Sequence, residues 1–312
     1  MINIFQQSLE KERIVAFKMT EQFKSGFVAI LGRPNVGKST LVNYLVGQKI
    51  SIVTEKPQTT RHKISAILTF DRAQIILLDT PGLHKGKKEI NTLMMEQALS
   101  AVTDNDLIIF ITDTSKNNFE KDSEYLKLLE GYTNILLINK VDLIKREQLL
   151  PMIEKYNETN LFKEILPLSL TKGENCDKIV DIILKYLPEG PKYYPDDIIS
   201  TENERFIVAE IIREKTFLLT HQEVPYSIGV KIDYFNEEEN ITKIGATIIV
   251  ERDSQKAIII GKKGQMIKKI GTFAREEIER FLNKKVYLEL FVKVIKNWTK
   301  DRKKVREIFS EI

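Results

Sequence analysis

The sequence predicts a doubly wound α/β domain followed by a smaller α+β domain. Three observations support this division. Strand-length apolar segments alternate with helical segments from about residue 27 to residue 186, which is typical of a mostly parallel sheet covered on both faces. The stretch 187–197 contains three prolines and a glycine, and it is predicted to be a linker. Beyond it the pattern changes to helix, two strands, two helices and a strand.

These boundaries divide the 312 residues into four parts: an N-terminal extension at 1–19, a first domain at 20–187, a linker at 188–204 and a second domain at 205–312. The extension carries no motif, and the choice between Met1 and Met19 as the start stays open. No apolar run approaches the ~18 residues of a membrane span. A single cysteine excludes an internal disulfide and suits a reducing compartment. We therefore expect a cytoplasmic protein.

The first domain begins with the motif GRPNVGKST at 32–40. An apolar strand at 27–31 precedes it and a helix-compatible run at 41–46 follows, which is the context in which G-x-x-x-x-G-K-[ST] binds nucleotide phosphates in P-loop NTPases. Lys38 is expected to reach the β- and γ-phosphates, and the Ser39 hydroxyl is expected to bind Mg²⁺. The predicted nucleotide-binding residues of this loop are Gly32, Arg33, Pro34, Asn35, Val36, Gly37, Lys38, Ser39 and Thr40.

The polar loop at 50–62 is predicted to supply a threonine that completes the Mg²⁺ shell when a γ-phosphate is present. Thr60 is the first choice and Thr59 the second. Two strands follow, at 64–70 and 74–78.

The second of these strands runs into Asp79-Thr80-Pro81-Gly82. A carboxylate at a strand end faces the ligand crevice of such a sheet, so Asp79 is expected to hold Mg²⁺, through a water molecule. The Gly82 N–H is expected to sense the γ-phosphate, and only glycine permits that close approach. The predicted metal ligands are thus Ser39, Thr60 and Asp79, and the predicted catalytic residues are Lys38, Thr60 and Gly82.

Leu83 follows at a position where many GTPases carry a glutamine that orients the attacking water. Leucine cannot do this, so other groups must place the water or hydrolysis must be slow. We expect His84 to be an exposed loop histidine rather than a catalytic base.

The base is selected after a predicted strand at 134–138, by Asn139-Lys140-Val141-Asp142. The Asp142 carboxylate can accept two hydrogen bonds from the N1–H and the amino group of guanine, whereas adenine offers no such pair of donors. Asn139 is expected to tie loops together, and the aliphatic stem of Lys140 to cover the base. Further along, a short strand leads to Ser169-Leu170, where a backbone N–H, assigned to Leu170, could contact the guanine carbonyl.

The second domain contains Gly261-Lys262-Lys263-Gly264 between two helices. A G-x-x-G turn lets a nucleic-acid backbone approach closely, lysines meet phosphates, and the neighbouring groove receives about four unpaired bases. From residue 256 to the end there are 16 Lys and Arg against 7 Asp and Glu, which suits a polyanionic partner. These four residues are therefore predicted to bind RNA, and a basic helix at 298–306 is expected beside them.

Taken together, these motifs resemble the Era family of bacterial GTPases over residues 20–312. The resemblance is carried by GRPNVGKST, QTTRHK, DTPGLH, NKVD, LPEGPKYYPDD, RFIVAEIIREK and GKKG. Leu170 departs from it, since the family usually has an alanine there. The resemblance implies a type II KH domain, binding to the 3′ end of 16S ribosomal RNA, a role in 16S processing and small (30S) subunit biogenesis, and loose association with the inner face of the cell membrane.

Two further hypotheses and two alternatives accompany this interpretation. Asn35 resembles P-loop residues of relatives that bind K⁺ beside the phosphates, and we expect the protein to act as a monomer. The first alternative is an RNA-binding assembly scaffold with a regulatory, weakly active nucleotide site. The second is an ATPase of similar fold, which Asp142 disfavours.

Overall fold

The computed structural model describes residues 22–54, 59–84, 88–103, 105–116, 118–220 and 224–310. The predicted extension at 1–19 lies outside these residues. The chain forms two compact units, of which the second contains the residues from Glu202 onward together with Ile52–Thr54 and residues 88–93. In the described part of the chain, no helix combines the length and apolar character that crossing a lipid bilayer requires.

The first unit is built on a six-stranded sheet. Its strands are β1 (Lys24–Leu31), β2 (Ile64–Phe70), β3 (Ala73–Asp79), β4 (Leu107–Asp113), β5 (Asn134–Asn139) and β6 (Glu164–Pro167). Their order across the sheet is β2-β3-β1-β4-β5-β6, with β2 antiparallel to β3 and the remaining pairs parallel. Every residue of β3, β4 and β5 is buried, as expected for central strands covered on both faces. The predicted doubly wound sheet is confirmed.

Five described helices belong mainly to this unit, and they alternate with the strands. They are α1 (Lys38–Val46), α2 (Glu89–Thr103), α3 (Asn118–Leu126), α4 (Arg146–Asn157) and α5 (Lys178–Tyr186). A 3₁₀ turn, Lys127–Leu129, extends α3. The parallel strands β1, β3, β4 and β5 all end at one edge of the sheet, so the loops that follow them lie together there.

Residues 188–200 lie along the first unit rather than away from it. The buried Gln74 of β3 accepts hydrogen bonds from the N–H groups of Tyr193 (2.8 Å) and Tyr194 (2.9 Å), and it donates to the Tyr194 carbonyl (2.8 Å). The Ser200 hydroxyl donates to a backbone carbonyl of β2 (2.7 Å). The stretch predicted to be a linker is therefore anchored, over most of its length, on the sheet of the first unit.

The second unit is an α+β fold. Its elements are α6 (Glu204–Leu219), β7 (Gly229–Glu237), β8 (Ile241–Val250), α7 (Asp253–Ile260), α8 (Gln265–Leu282), β9 (Lys285–Val294) and α9 (Arg302–Ser310). The sheet order is β7-β8-β9, with β7 antiparallel and β9 parallel to β8. The predicted C-terminal helix at 298–306 starts as a 3₁₀ turn, Trp298–Lys300, in which the buried indole of Trp298 donates to the Ser227 carbonyl (3.1 Å).

Candidate functional site: a phosphate loop, a guanine-type pocket and a helix–loop–helix

The loop between β1 and α1 curls around the side chain of Lys38. The ammonium donates to the carbonyls of Gly32 (3.0 Å) and Arg33 (2.8 Å). Burial lowers the pKa of Lys38 to about 8, and the charge of Asp79 acts against this effect. A phosphate in the loop would add negative charge beside the ammonium, so the lysine is poised to bind one.

Three oxygen-bearing side chains predicted to bind a metal meet beside this lysine. The Ser39 hydroxyl lies 2.7 Å from the Thr60 hydroxyl and donates to Asp79 Oδ2 at 2.8 Å. The other carboxylate oxygen of Asp79 is buried and makes no hydrogen bond among the described residues. Burial raises the pKa of Asp79, with Lys38 and Ser39 acting in the opposite direction. A buried carboxylate with an unmatched oxygen and two adjacent hydroxyls are donors that suit a hard cation such as Mg²⁺.

The segment after β3 packs against the phosphate loop. A Cβ built on Gly82 would lie 2.8 Å from backbone atoms of Pro34, so the two loops are in close contact there. The Leu83 N–H donates to the Gly32 carbonyl (3.0 Å), and the Leu83 side chain is only 1% exposed within the hydrophobic core. The leucine therefore fills the core instead of facing the phosphates. His84 is exposed, as expected.

Asn139 joins the loops on the base-binding side. Its amide nitrogen donates to the Val36 carbonyl (2.8 Å), and its carbonyl accepts the Leu170 N–H (3.2 Å). The N–H that the sequence assigned to the guanine carbonyl is thus bonded to Asn139 in this structure. Asp142 lies exposed in a 3₁₀ turn, Val141–Leu143, where a base can reach its carboxylate.

Other predicted residues contribute through backbone or scaffold. The Thr80 hydroxyl donates to the Ile30 carbonyl (2.6 Å). Ser169 is fully buried and its N–H donates to the Glu174 carbonyl (3.1 Å), so both residues support the loops of the site. Thr40 lies in the first turn of α1 and is partly exposed. Pro81 is buried beside Gly82.

Sequence reasoning missed two carboxylates that contact this site. Asp122 of α3 pairs with the Arg33 side chain, and Asp113 at the end of β4 pairs with Lys140 (2.9 Å). Asp122 is separated from Arg33 by 89 residues and stands in an otherwise ordinary polar helix, so no local signal marks it. Asp113 ends a strand at the same edge as Asp79, and that position was the available clue.

In the second unit, the loop 261–264 connects α7 to α8. Its glycines have φ angles of 72° and 76°, and Lys263 also has a positive φ of 51°. Lys262 and Lys263 are exposed. A Cβ placed on Gly264 would meet no described atom within 4 Å, so the surface there is open to an approaching chain. With one antiparallel and one parallel strand pair and this loop, the unit has the topology of a type II KH domain, as predicted.

A nucleotide-binding sheet that carries an Asn-Lys-x-Asp turn and is followed by a KH domain defines a class of GTPase. Two family models agree with this class: one described as a 50S ribosome-binding GTPase matches residues 27–140, and one described as a KH domain matches residues 223–299.

Relatives extend the match over nearly the whole chain. GTPase Era of Syntrophus aciditrophicus is 48% identical over 289 residues, which cover 91% of this chain and 94% of the relative. GTPase Era of Geobacter metallireducens is 50% identical over 290 residues, which cover 92% and 97%. The chain belongs to the GTPase Era family.

Solved structures agree with this assignment. Era in complex with MgGDPNP and nucleotides 1506–1542 of 16S ribosomal RNA superposes with a TM-score of 0.88 at 41% identity, covering 93% of this chain and all of that one. An Aquifex aeolicus Era variant bound to GDP and aluminium fluoride gives 0.87 at 41% identity with the same coverage. The protein is a GTPase.

Proposed function

We propose that this GTPase binds the 3′ end of 16S ribosomal RNA through its KH domain and acts in 16S processing and small-subunit biogenesis. One observation carries the proposal: the open, lysine-bearing loop 261–264 occurs in the same chain as a site whose donors suit GTP with Mg²⁺. The solved Era complex with nucleotides 1506–1542 supports this choice of RNA.

In the nucleotide site, Ser39, Thr60 and Asp79 would hold Mg²⁺, which neutralises charge that develops on the phosphates during hydrolysis. Lys38 would bind the β- and γ-phosphates, and the Gly82 N–H would detect the γ-phosphate. The core position of Leu83 leaves no side chain at that point to orient the attacking water, so we expect slow basal hydrolysis.

On the base side, Asp142 would accept hydrogen bonds from guanine while Lys140 covers its face. Replacing Asp142 with asparagine removes one acceptor and adds a donor. We expect Asp142→Asn to weaken GTP affinity by roughly 10- to 100-fold, the equivalent of about 1–3 kcal/mol, and to lower the preference for GTP over ATP. Competition binding with both triphosphates measures this, and an unchanged preference contradicts the assigned role.

Crosslinking in cells followed by sequencing of the attached RNA tests the ribosomal role. We expect reads concentrated at the 3′ end of 16S RNA, and enrichment elsewhere would overturn the proposal.

A turnover assay with Lys38→Ala as the inactive control separates an active GTPase from a scaffold with a regulatory nucleotide site.

The same proposal includes K⁺ binding, peripheral membrane association and a monomeric state. Asn35 would bind K⁺ beside the phosphates, and hydrolysis should then slow when Na⁺ replaces K⁺. The cytoplasmic protein would associate peripherally with the inner face of the membrane, which flotation with anionic vesicles measures. It would act as a monomer, and a mass of twice the monomer in light scattering would contradict this.

A further inference from the structure

The second residue of the phosphate loop directs its side chain into the protein. The Arg33 Nε donates to Oδ1 of Asp122, and its Nη2 lies 3.6 Å from Oδ1 of Asp113. Burial acts to lower the pKa of Arg33, but the hydrogen bond and the charge of Asp122 outweigh it and the pKa is raised. The guanidinium therefore stays charged between two carboxylates.

Asp122 is fully buried, and both of its oxygens have donors. Oδ1 accepts from Arg33, and Oδ2 accepts from the hydroxyls of Thr112 (2.6 Å) and Tyr156 (2.8 Å). These partners come from β4 and α4, so the carboxylate has a fixed place in the scaffold. A buried charge with this many partners is costly to disturb, because removal of one leaves another unmatched.

Asp113 forms the second half of the network. Its Oδ2 accepts from the Lys140 ammonium (2.9 Å), which also donates to the Asn35 carbonyl (2.8 Å). Burial acts to raise the pKa of Asp113, but hydrogen bonds from Ser115 and Lys140 outweigh it and hold the pKa below its usual range. Asp113 thus contacts a residue of the phosphate loop and a residue of the base-binding turn.

We infer that Asp122 and Asp113 are positioning residues for the nucleotide site. Asp122 holds Arg33, whose carbonyl accepts the Lys38 ammonium at 2.8 Å, and so it sets the phosphate loop before a nucleotide arrives. Asp113 links this loop to Lys140, and so it holds the base-binding turn at a fixed position relative to the phosphate loop. Loops held in place in this way lose less freedom on binding, which strengthens affinity.

Two isosteric variants test the two roles. For each variant, affinities are measured for GDP, for a non-hydrolysable GTP analogue and for inosine diphosphate, whose base lacks the guanine amino group. We expect Asp122→Asn to weaken all three affinities together by about tenfold, because the phosphate loop is no longer held. We expect Asp113→Asn to reduce the preference for guanine over hypoxanthine several-fold, because the base-binding turn shifts. The double variant Arg33→Met/Asp122→Asn should lose no more nucleotide affinity than the more damaging of the two single variants, Arg33→Met and Asp122→Asn.

The control is Asn134→Ala, at the opposite end of β5. Asn134 is buried and donates to the carbonyls of Leu129 (2.8 Å), Tyr132 (3.0 Å) and Leu161 (3.1 Å), so its loss also destabilises the fold. We expect it to lower the melting temperature and to leave nucleotide affinity unchanged when measured well below that temperature. Wild-type affinity and base preference in both aspartate variants would overturn the inference. So would affinity losses that track the melting temperature in all variants, Asn134→Ala included.

Discussion

Leu83 shows at the scale of one residue that a position used for catalysis in many GTPases serves core packing in this protein. Its side chain belongs to the core of the first unit, and its N–H is bonded to Gly32. We expect Leu83→Gln to bury an unpaired amide and to reduce the free energy of unfolding by about 1–3 kcal/mol. Because the side chain points away from the phosphates, the variant should not hydrolyse GTP faster. Urea unfolding and phosphate release measure the two quantities.

Leu83→Met is the matched control, since it conserves volume and should cost less than about 1.5 kcal/mol. Faster hydrolysis by a fully stable glutamine variant would mean that the side chain turns toward the γ-phosphate, contrary to the packing seen here.

Gly82 tests the contact between the DTPG segment and the phosphate loop. A methyl group there would lie 2.8 Å from backbone atoms of Pro34, and backbone cannot move aside as a flexible side chain can. We expect Gly82→Ala to displace the segment and to reduce hydrolysis by about 100-fold, with affinity for a GTP analogue falling more than affinity for GDP.

Gly271→Ala makes the same chemical change in α8, where the added atom would meet Leu290 at an ordinary 3.5 Å. It should leave hydrolysis unchanged. If Gly82→Ala lowers the affinities for the GTP analogue and for GDP by the same factor, the Gly82 N–H has no role in sensing the γ-phosphate.

At the scale of elements, motif spacing was enough to predict that β1 and β3 end at the same edge of the sheet, where Asp79 meets the phosphate loop. Residues such as Lys38, Thr60 and Asp79 are recognisable because phosphate and metal chemistry restricts their type and order. Asp122 was beyond prediction, because its partner lies 89 residues away and buried polar pairs leave no periodic pattern. Helix α4 was also not predicted from the sequence. Tyr156 is its one fully buried residue, so its apolar stripe is weak, and Pro151 is unfavourable inside a helix.

The stretch 188–200 illustrates the same limit, since proline and glycine predict where regular structure stops but not what the backbone then contacts. Gln74 is the anchor that composition could not reveal. We expect Gln74→Ala to remove the hydrogen bonds that hold the backbone of Tyr193 and Tyr194, to reduce the free energy of unfolding by about 1–3 kcal/mol and to make 188–200 sensitive to proteases.

Gln148→Ala is the control, because Gln148 is exposed and its side chain accepts the Lys145 N–H (3.1 Å) at the start of α4, away from 188–200 in the sequence. Limited proteolysis with mapping of the cut sites decides the outcome. If both variants resist cleavage between 187 and 201 equally, the anchoring role of Gln74 is refuted.

At the scale of the whole molecule, two activities are assigned to two units that each have their own sheet. The residues proposed to bind RNA lie in the second unit, and those proposed to bind the nucleotide lie in the first. The double variant Lys262→Glu/Lys263→Glu should therefore lose RNA affinity while its GTP hydrolysis without RNA stays at the wild-type rate. Each reversal adds repulsion of the phosphate backbone, and we expect at least a tenfold loss at low salt. Lys38→Ala should show the opposite pattern, with little hydrolysis and RNA affinity retained in the absence of nucleotide.

The control for charge is Lys127→Glu/Lys178→Glu, which makes the same change at exposed positions of the first unit. Fluorescence anisotropy with a 3′-terminal 16S oligonucleotide gives the affinities, and its salt dependence distinguishes the variants further. Removing one lysine–phosphate ion pair should reduce the slope of log affinity against log salt by about 0.7 for a single strand. An equal loss of affinity in both charge-reversed variants would mean that overall charge, and not the loop 261–264, attracts the RNA.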